Sequence, residues 1–127
     1  MASDRFRQFN PNPDGIRVGD CTVRAICKAT GKPWSEVYLA LCVYGYDLHD
    51  MPSANRVWGA YLRAQGFRRR PINEDITVED FCRDNPSGVF LLCPDGHIVC
   101  VEDGCYFDTW DSGQEMPLYY WERGESP

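Results

Sequence analysis

Three scarcities in this 127-residue chain each remove a class of function. No apolar run approaches the roughly 18 residues of a membrane span, and Met1 is followed by "ASDRFRQFNPNP", which lacks the apolar core of a secretory signal. The expected setting is the cytoplasm, with no membrane partner. Basic residues are outnumbered, 13 Lys and Arg against 19 Asp and Glu, for a formal net charge of -6. That balance argues against a nucleic-acid partner, because phosphates are bound by clustered Lys and Arg. Histidine is scarcer still, with only His49 and His97, so imidazole chemistry has two candidates at most.

Cysteine, by contrast, is plentiful. The seven residues (21, 27, 42, 82, 93, 100 and 105) are odd in number and contain no C-x-x-C pair, which fits reduced thiols better than a disulfide framework. Zinc ligands usually arrive as close pairs, and the nearest approximation, Cys93, Cys100 and Cys105, falls on expected strand positions. No metal and no cofactor are expected. The run Arg68-Arg69-Arg70 reads as an exposed edge strand kept soluble by charge, with a docking patch as the alternative.

The length suits a single domain with its own core. Helix formers dominate before about residue 66, and β-branched and aromatic residues after residue 88, an α+β pattern. Residues 1–19 form an extended lead-in, since proline biases the Asn residues of "NPNPDG" away from helix. A first helix is expected from Cys21 to about Thr30, capped by Asp20 and ended by Gly31. A second runs from Pro33 or Trp34 to Tyr44 and stops at Gly45. A third, capped by Ser53, covers Ala54 to Gln65, and Thr77 caps a short fourth that ends before Pro86. The segments "GVFLLC", "HIVCV", "CYFDTW" and "PLYYW" read as strands, with "PDG" and "EDG" carrying the Asp-Gly of tight hairpins. The expected architecture is thus a mainly helical half (20–85) packed on an antiparallel β half (86–122), with a frayed tail (123–127).

The chemistry centres on "VGDCTVRAICKATGKPW". A cysteine at the first position of a helix is either a small buried hydrophobe or a nucleophile whose thiolate the helix dipole stabilises. Nucleophilic use also needs an imidazole and a polar group to fix its tautomer. His49 lies in a polar linker, whereas His97 opens an expected strand. If Asp103-Gly104 make a two-residue turn, Glu102 pairs with Cys105, Val99 with Asp108, and His97 with Trp110. Period-two alternation then puts His97, Asp108 and Trp110 on one face and Asp111 on the other, with Trp110 as a wall of the site. The remaining cysteines, together with Trp34, Trp58 and Trp121, read as core or cleft walls. The capped amphipathic helix accounts for Met51 and "DMPSANRVWGAYL" without a further role.

These boxes, "GDCTVRAI", "GHIVCV" and "FDTW", resemble the Cys, His and Asn/Asp boxes of papain-like cysteine peptidases in the same chain order. The compact size is more similar to the small bacterial branch that includes bacteriocin-processing peptidases. The whole chain also resembles small proteins encoded in bacterial prophages, through "NPNP", "VGDC", "DMPSANRVWGAYL" and "DTWDSG". The resemblance implies a papain-like fold, Cys21 as nucleophile, His97 as base and Asp108 as orienter, acting on a peptide or protein substrate. Family members carry a Gln a few residues before the nucleophile as an oxyanion donor, whereas Gly15 stands six residues before Cys21. Asn12, Asn10 and Gln8 are the lead-in candidates for that donor, beside the Cys21 backbone N–H. The expected activity is a peptidase or amidohydrolase working through an acyl-enzyme. The alternatives are a binding module that keeps the fold without catalysis, and an acyltransferase with the same triad.

Overall fold

Period-two patterning after residue 88 yields β-strands, and helical patterning before it yields four helices, but the two halves interleave. The computed structural model describes residues 4–123. Its elements are β1 (Phe6–Gln8), α1 (Cys21–Thr30), α2 (Trp34–Leu48), α3 (Asn55–Ala64), β2 (Phe67–Pro71), α4 (Val78–Asp84), β3 (Val89–Cys93), β4 (Val99–Glu102), β5 (Cys105–Asp108) and β6 (Tyr119–Arg123). One six-stranded sheet in the order β1-β5-β4-β3-β6-β2 carries all the strands.

The sheet is mixed, which corrects the antiparallel expectation. β1, drawn from the lead-in, pairs parallel with β5, and β2, drawn from the helical half, closes the opposite edge against β6. The Arg68-Arg69-Arg70 run does lie on an edge strand. Alternation sorts the strand residues into two cores. Leu91, Cys93, Cys100 and Trp121 face α1, α2 and α3, while Leu92, Val99, Val101 and Tyr106 pack with Val78, Phe81 and Cys82 of α4. α4 is held by the expected capping box, Thr77 Oγ1 accepting from the Asp80 N–H and the Asp80 carboxylate from the Thr77 N–H. Such a cap contributes about 1 kcal/mol.

Several local expectations change for identifiable reasons. α2 runs through Gly45 to Leu48 and ends on His49, which adopts a left-handed φ of 56°. Gly45 is a packing requirement rather than a stop, because a Cβ there would lie 2.7 Å from the Asp50 carbonyl oxygen. α3 is preceded by Ala54 rather than capped by Ser53, and its N-cap makes no side-chain hydrogen bond. The "EDG" turn is the two-residue hairpin expected, with Glu102 opposite Cys105 and both Asp103 (φ 50°) and Gly104 (φ 77°) left-handed. The "PDG" connection is longer: Leu92 pairs with Val99, and the His97 N–H closes a turn on the Pro94 carbonyl at 3.2 Å, with Gly96 at φ 67°. His97 therefore precedes β4 by two residues instead of opening it. Of the tail expected to fray, Arg123 is the last residue of β6, and 124–127 fall outside the described residues. Among the described residues no helix is long and apolar enough to cross a membrane.

Candidate active site

α1 packs on β3, β4 and β5, which brings its first turn to the end of the sheet where β5 stops and the Pro94–Ile98 turn enters β4. Cys21 is the first residue of that helix and is partly buried. Asp20 holds the cap position, yet its carboxylate makes no cap hydrogen bond. Its Oδ1 accepts instead from Arg24 Nη1 at 2.7 Å, and its Oδ2 from Trp34 Nε1 at 2.9 Å. The first N–H groups of α1, at the positive end of the dipole, are thereby left for another acceptor.

His97 and Asp108 meet directly, with Nε2 2.7 Å from Oδ2. That contact commits Nε2 and leaves Nδ1 as the ring nitrogen available to the Cys21 side chain. Asp108 has no solvent exposure, and it survives burial by accepting four hydrogen bonds. Besides His97, these come from Arg24 Nη2 at 2.9 Å, the Thr109 N–H at 2.8 Å and Ser112 Oγ at 2.7 Å. Trp110 lies against the His97 ring, with centroids 5.0 Å apart, and its outer side is exposed. Asp111 turns away to accept from the Tyr106 hydroxyl and the Gly113 N–H. The three residues expected to form a triad are thus brought together, and Asp111 is not among them.

The electrostatics follow from these contacts. Burial pushes the Cys21 thiol up, but the His97 hydrogen bond and charge, the Ile98 N–H and the Arg24 guanidinium outweigh it and hold the thiol below its ordinary 9.0. Burial likewise disfavours the His97 imidazolium, and the hydrogen bonds to Asp108 and Cys21 overcome this, pushing its pKa up to about 9. Desolvation also works against the Asp108 carboxylate, yet His97, Ser112 and Thr109 keep it below 3.8. A thiolate facing an imidazolium is favoured between the lowered Cys21 value and about pH 9. Four other thiols behave oppositely: burial raises Cys27 to about 11 and Cys82 and Cys93 to about 12, and raises Cys100 as well.

The lead-in amides stand apart from Cys21: Gln8, Asn10 and Asn12 do not line either opening onto it. Gln8 Nε2 donates to the Thr109 carbonyl at 3.3 Å, and Asn10 Nδ2 donates to the Gly15 and Ile16 carbonyls at 3.4 and 3.1 Å. Asn12 Oδ1 accepts from the Asp14 N–H at 2.9 Å. All three stabilise turns or the β1 edge, because "NPNPDG" needs its side chains to satisfy its own irregular backbone. Their place on the cleft wall is taken by Asn55, the first residue of α3, which lines a cavity of about 480 Å³ together with Cys21, Thr22 and His97. A second opening of about 430 Å³ exposes Cys21 and His97 beside Arg17 and Trp110.

Sequence reasoning did not find Arg24, Ser112 or the second role of Asp20. Arg24 is only 4% exposed and bridges two buried carboxylates, giving a line of alternating charge from Asp20 through Arg24, Asp108 and His97 to Cys21. Asp20-x-x-x-Arg24 was available as a signal, but that i,i+4 spacing is ordinary for an exposed helix pair. Among the described residues no three His, Cys, Asp or Glu side chains converge to hold a metal ion. No family model matches the chain, and no solved structure matches it.

Proposed function

We propose that the chain is a papain-like cysteine hydrolase of the small bacterial kind, cleaving a peptide or isopeptide bond through an acyl-enzyme. The observation that carries this reading is the hydrogen-bonded series Cys21, His97, Asp108, in which one thiol has its pKa lowered while four others are raised. Support also comes from chain order, with the cysteine at a helix N-terminus ahead of a histidine in the turn before β4 and an aspartate at the end of β5.

In this mechanism Cys21 Sγ attacks the substrate carbonyl carbon, forming a C–S bond and an oxyanion. The N–H groups of the first turn of α1 receive the oxyanion, and the Asn55 carboxamide adds a side-chain donor. His97 gives its Nδ1 proton to the leaving nitrogen, and the C–N bond breaks. The resulting thioester is attacked by a water whose proton passes to His97, and Cys21 leaves as thiolate. Asp108, ionised and fixed by Arg24 and Ser112, keeps Nε2 protonated and the ring aimed at sulfur.

Timed alkylation with iodoacetamide at pH 6, followed by peptide mapping, tests the nucleophile, with Cys21 expected to label first and His97→Ala to slow it. Earlier labelling of Cys93 or Cys100 would remove the basis for the proposal. A thiol-reactive acyl probe then reads acyl-enzyme formation by mass. Its absence on a reactive Cys21 would favour a binding module, and capture of the acyl group by added amine in preference to water would mark an acyltransferase.

A further inference from the structure

The middle arginine of the edge strand β2 is on the wrong side for a purely solubilising role. Arg69 pairs with Trp121, so alternation puts it with Phe67 on the face that packs against the helices, whereas Arg70 lies on the opposite face and pairs its charge with Glu122 at 2.8 Å. Arg69 lies over the Tyr119 ring, 4.0 Å from its centroid, and Arg63 of α3 lies over the Trp121 ring at 5.2 Å. Among the described residues neither guanidinium has a carboxylate partner, although acidic residues outnumber basic ones in the chain. Ring stacking holds the flat side of each guanidinium and leaves its N–H edge available.

Both arginines line a cavity of about 270 Å³ with Arg56 and Trp121. Asp50 offsets Arg56 at 2.7 Å, so the cavity keeps a positive excess. Trp121 is 2% exposed, and its indole N–H has no hydrogen-bond partner among the described residues. A buried donor without an acceptor is unfavourable, and native proteins seldom leave one unless a ligand or water completes it. Asn55, Trp58 and Tyr119 belong both to this cavity and to the wall of the Cys21–His97 cleft, so the two are contiguous.

We infer that the Arg63–Arg69–Trp121 cavity is a carboxylate subsite that anchors an acidic group of the peptide substrate beside the reactive thiol. Its role in turnover rests on the hydrolase reading, but its chemistry does not. The carboxylate comes either from a peptide C-terminus or from an acidic side chain, and both present two oxygens to the paired guanidinium edges.

Three small probes separate the cases: N-acetylglutamine, carrying only a terminal carboxylate; N-acetylglutamate α-amide, carrying only a side-chain carboxylate; and the neutral N-acetylglutamine amide. Each is titrated into the ¹⁵N-labelled full chain while the Trp121 indole resonance, assigned with Trp121→Phe, is followed. At least one anionic probe should shift that resonance saturably, the neutral probe should not, and added salt should weaken the effect. Arg69→Gln, on an exposed edge strand, should reduce affinity about tenfold or more, as loss of a charge-assisted pair does, and Arg63→Lys should keep part of it. A response to the first probe alone identifies a peptide C-terminus, and to the second alone an acidic side chain. Equal shifts from the neutral probe, no shift from either anion, or unchanged affinity in Arg69→Gln overturns the subsite. Carboxylate binding in a protein whose Cys21 reacts no faster than Cys93 would sink the hydrolase reading and the substrate role while leaving the anion site standing.

Discussion

Replacing Asp108 by Asn keeps the shape of the residue and removes the charge that faces His97. In the folded protein His97 titrates at about 9 against an ordinary 6.5, a difference worth about 3 kcal/mol in favour of the imidazolium. The Asp108 hydrogen bond leads the contributions that raise it, ahead of Cys21, and Asp108 adds its charge as well. An opposite charge at hydrogen-bond distance typically moves a pKa by about 1–3 units. Asp108→Asn should therefore lower the His97 value by at least about one unit, read from the imidazole resonances across a pH series. Asp111→Asn should leave it nearly unmoved, because Asp111 is engaged with Tyr106 and Gly113 instead. Near pH 8, where the lowered value leaves less imidazolium opposite it, the Cys21 thiolate loses its main stabiliser, and alkylation at that pH should slow in Asp108→Asn alone. A larger downward shift of His97 in the Asp111 variant would refute this argument, and so would an unaltered His97 in Asp108→Asn.

Arg24→Ala leaves the Asp20 and Asp108 carboxylates buried with their shared cation gone, so urea unfolding near pH 7 should show a loss of about 3–5 kcal/mol, and a loss below about 1 kcal/mol would mean that water compensates both. Asn10→Ala and Asn12→Ala should leave acyl-enzyme formation within about tenfold of the unmodified chain, while Asn55→Ala should lower it by roughly 10²-fold, the usual cost of one oxyanion donor; the reverse ranking would return the donor to the lead-in. Because the folded His97 pKa is raised, its stabilising contribution is complete below about 6.5 and is lost as pH rises through about 9. Thermal midpoints measured between those values should fall with pH, and fall less in Asp108→Asn, whereas parallel curves would detach His97 from Asp108.

Much of the site was legible because each of its parts has a local cause. Cys21 opens a helix because the apolar spacing of Val23, Ile26 and Cys27 buries that segment and the left-handed Gly31 ends it. Asp103-Gly104 fixes the β4–β5 register within two residues, and that register decides which acid stands near His97. The reason offered from sequence was nevertheless only partly right. His97 does not sit on a strand facing Asp108 across a ladder; it hangs in the turn before β4, held by its N–H to the Pro94 carbonyl, and reaches the last residue of β5 at the end of the sheet. The turn is longer than Asp-Gly alone suggests because Pro94 directly follows the last residue of β3, and it delays the start of β4 to Val99. Strand phase led to Asp108, the acid that the His97 ring contacts, because it governs β5, where Asp108 belongs, even though it does not govern His97.

What stayed hidden depends on long-range assembly. The pairing of Phe6–Gln8 with β5 joins residues about a hundred positions apart, and a three-residue strand has no periodicity to announce it. Arg24 shows the same limit more sharply. On a helix wheel it is one of the two basic residues of α1, four positions after an aspartate, and such pairs usually stand in water and contribute a few tenths of a kcal/mol. Only when α1 lies across the sheet end does its guanidinium meet Asp108, 84 positions away, with both side chains nearly inaccessible. The pairing also explains why Asp20 gives up capping. An uncompensated Arg24 between apolar walls would be costly, and a guanidinium bonded to Asp108 through one nitrogen has a second nitrogen free to bind Asp20. The same contact that buries Asp20 therefore uncovers the first N–H groups of α1, where the proposed chemistry requires donors for an oxyanion.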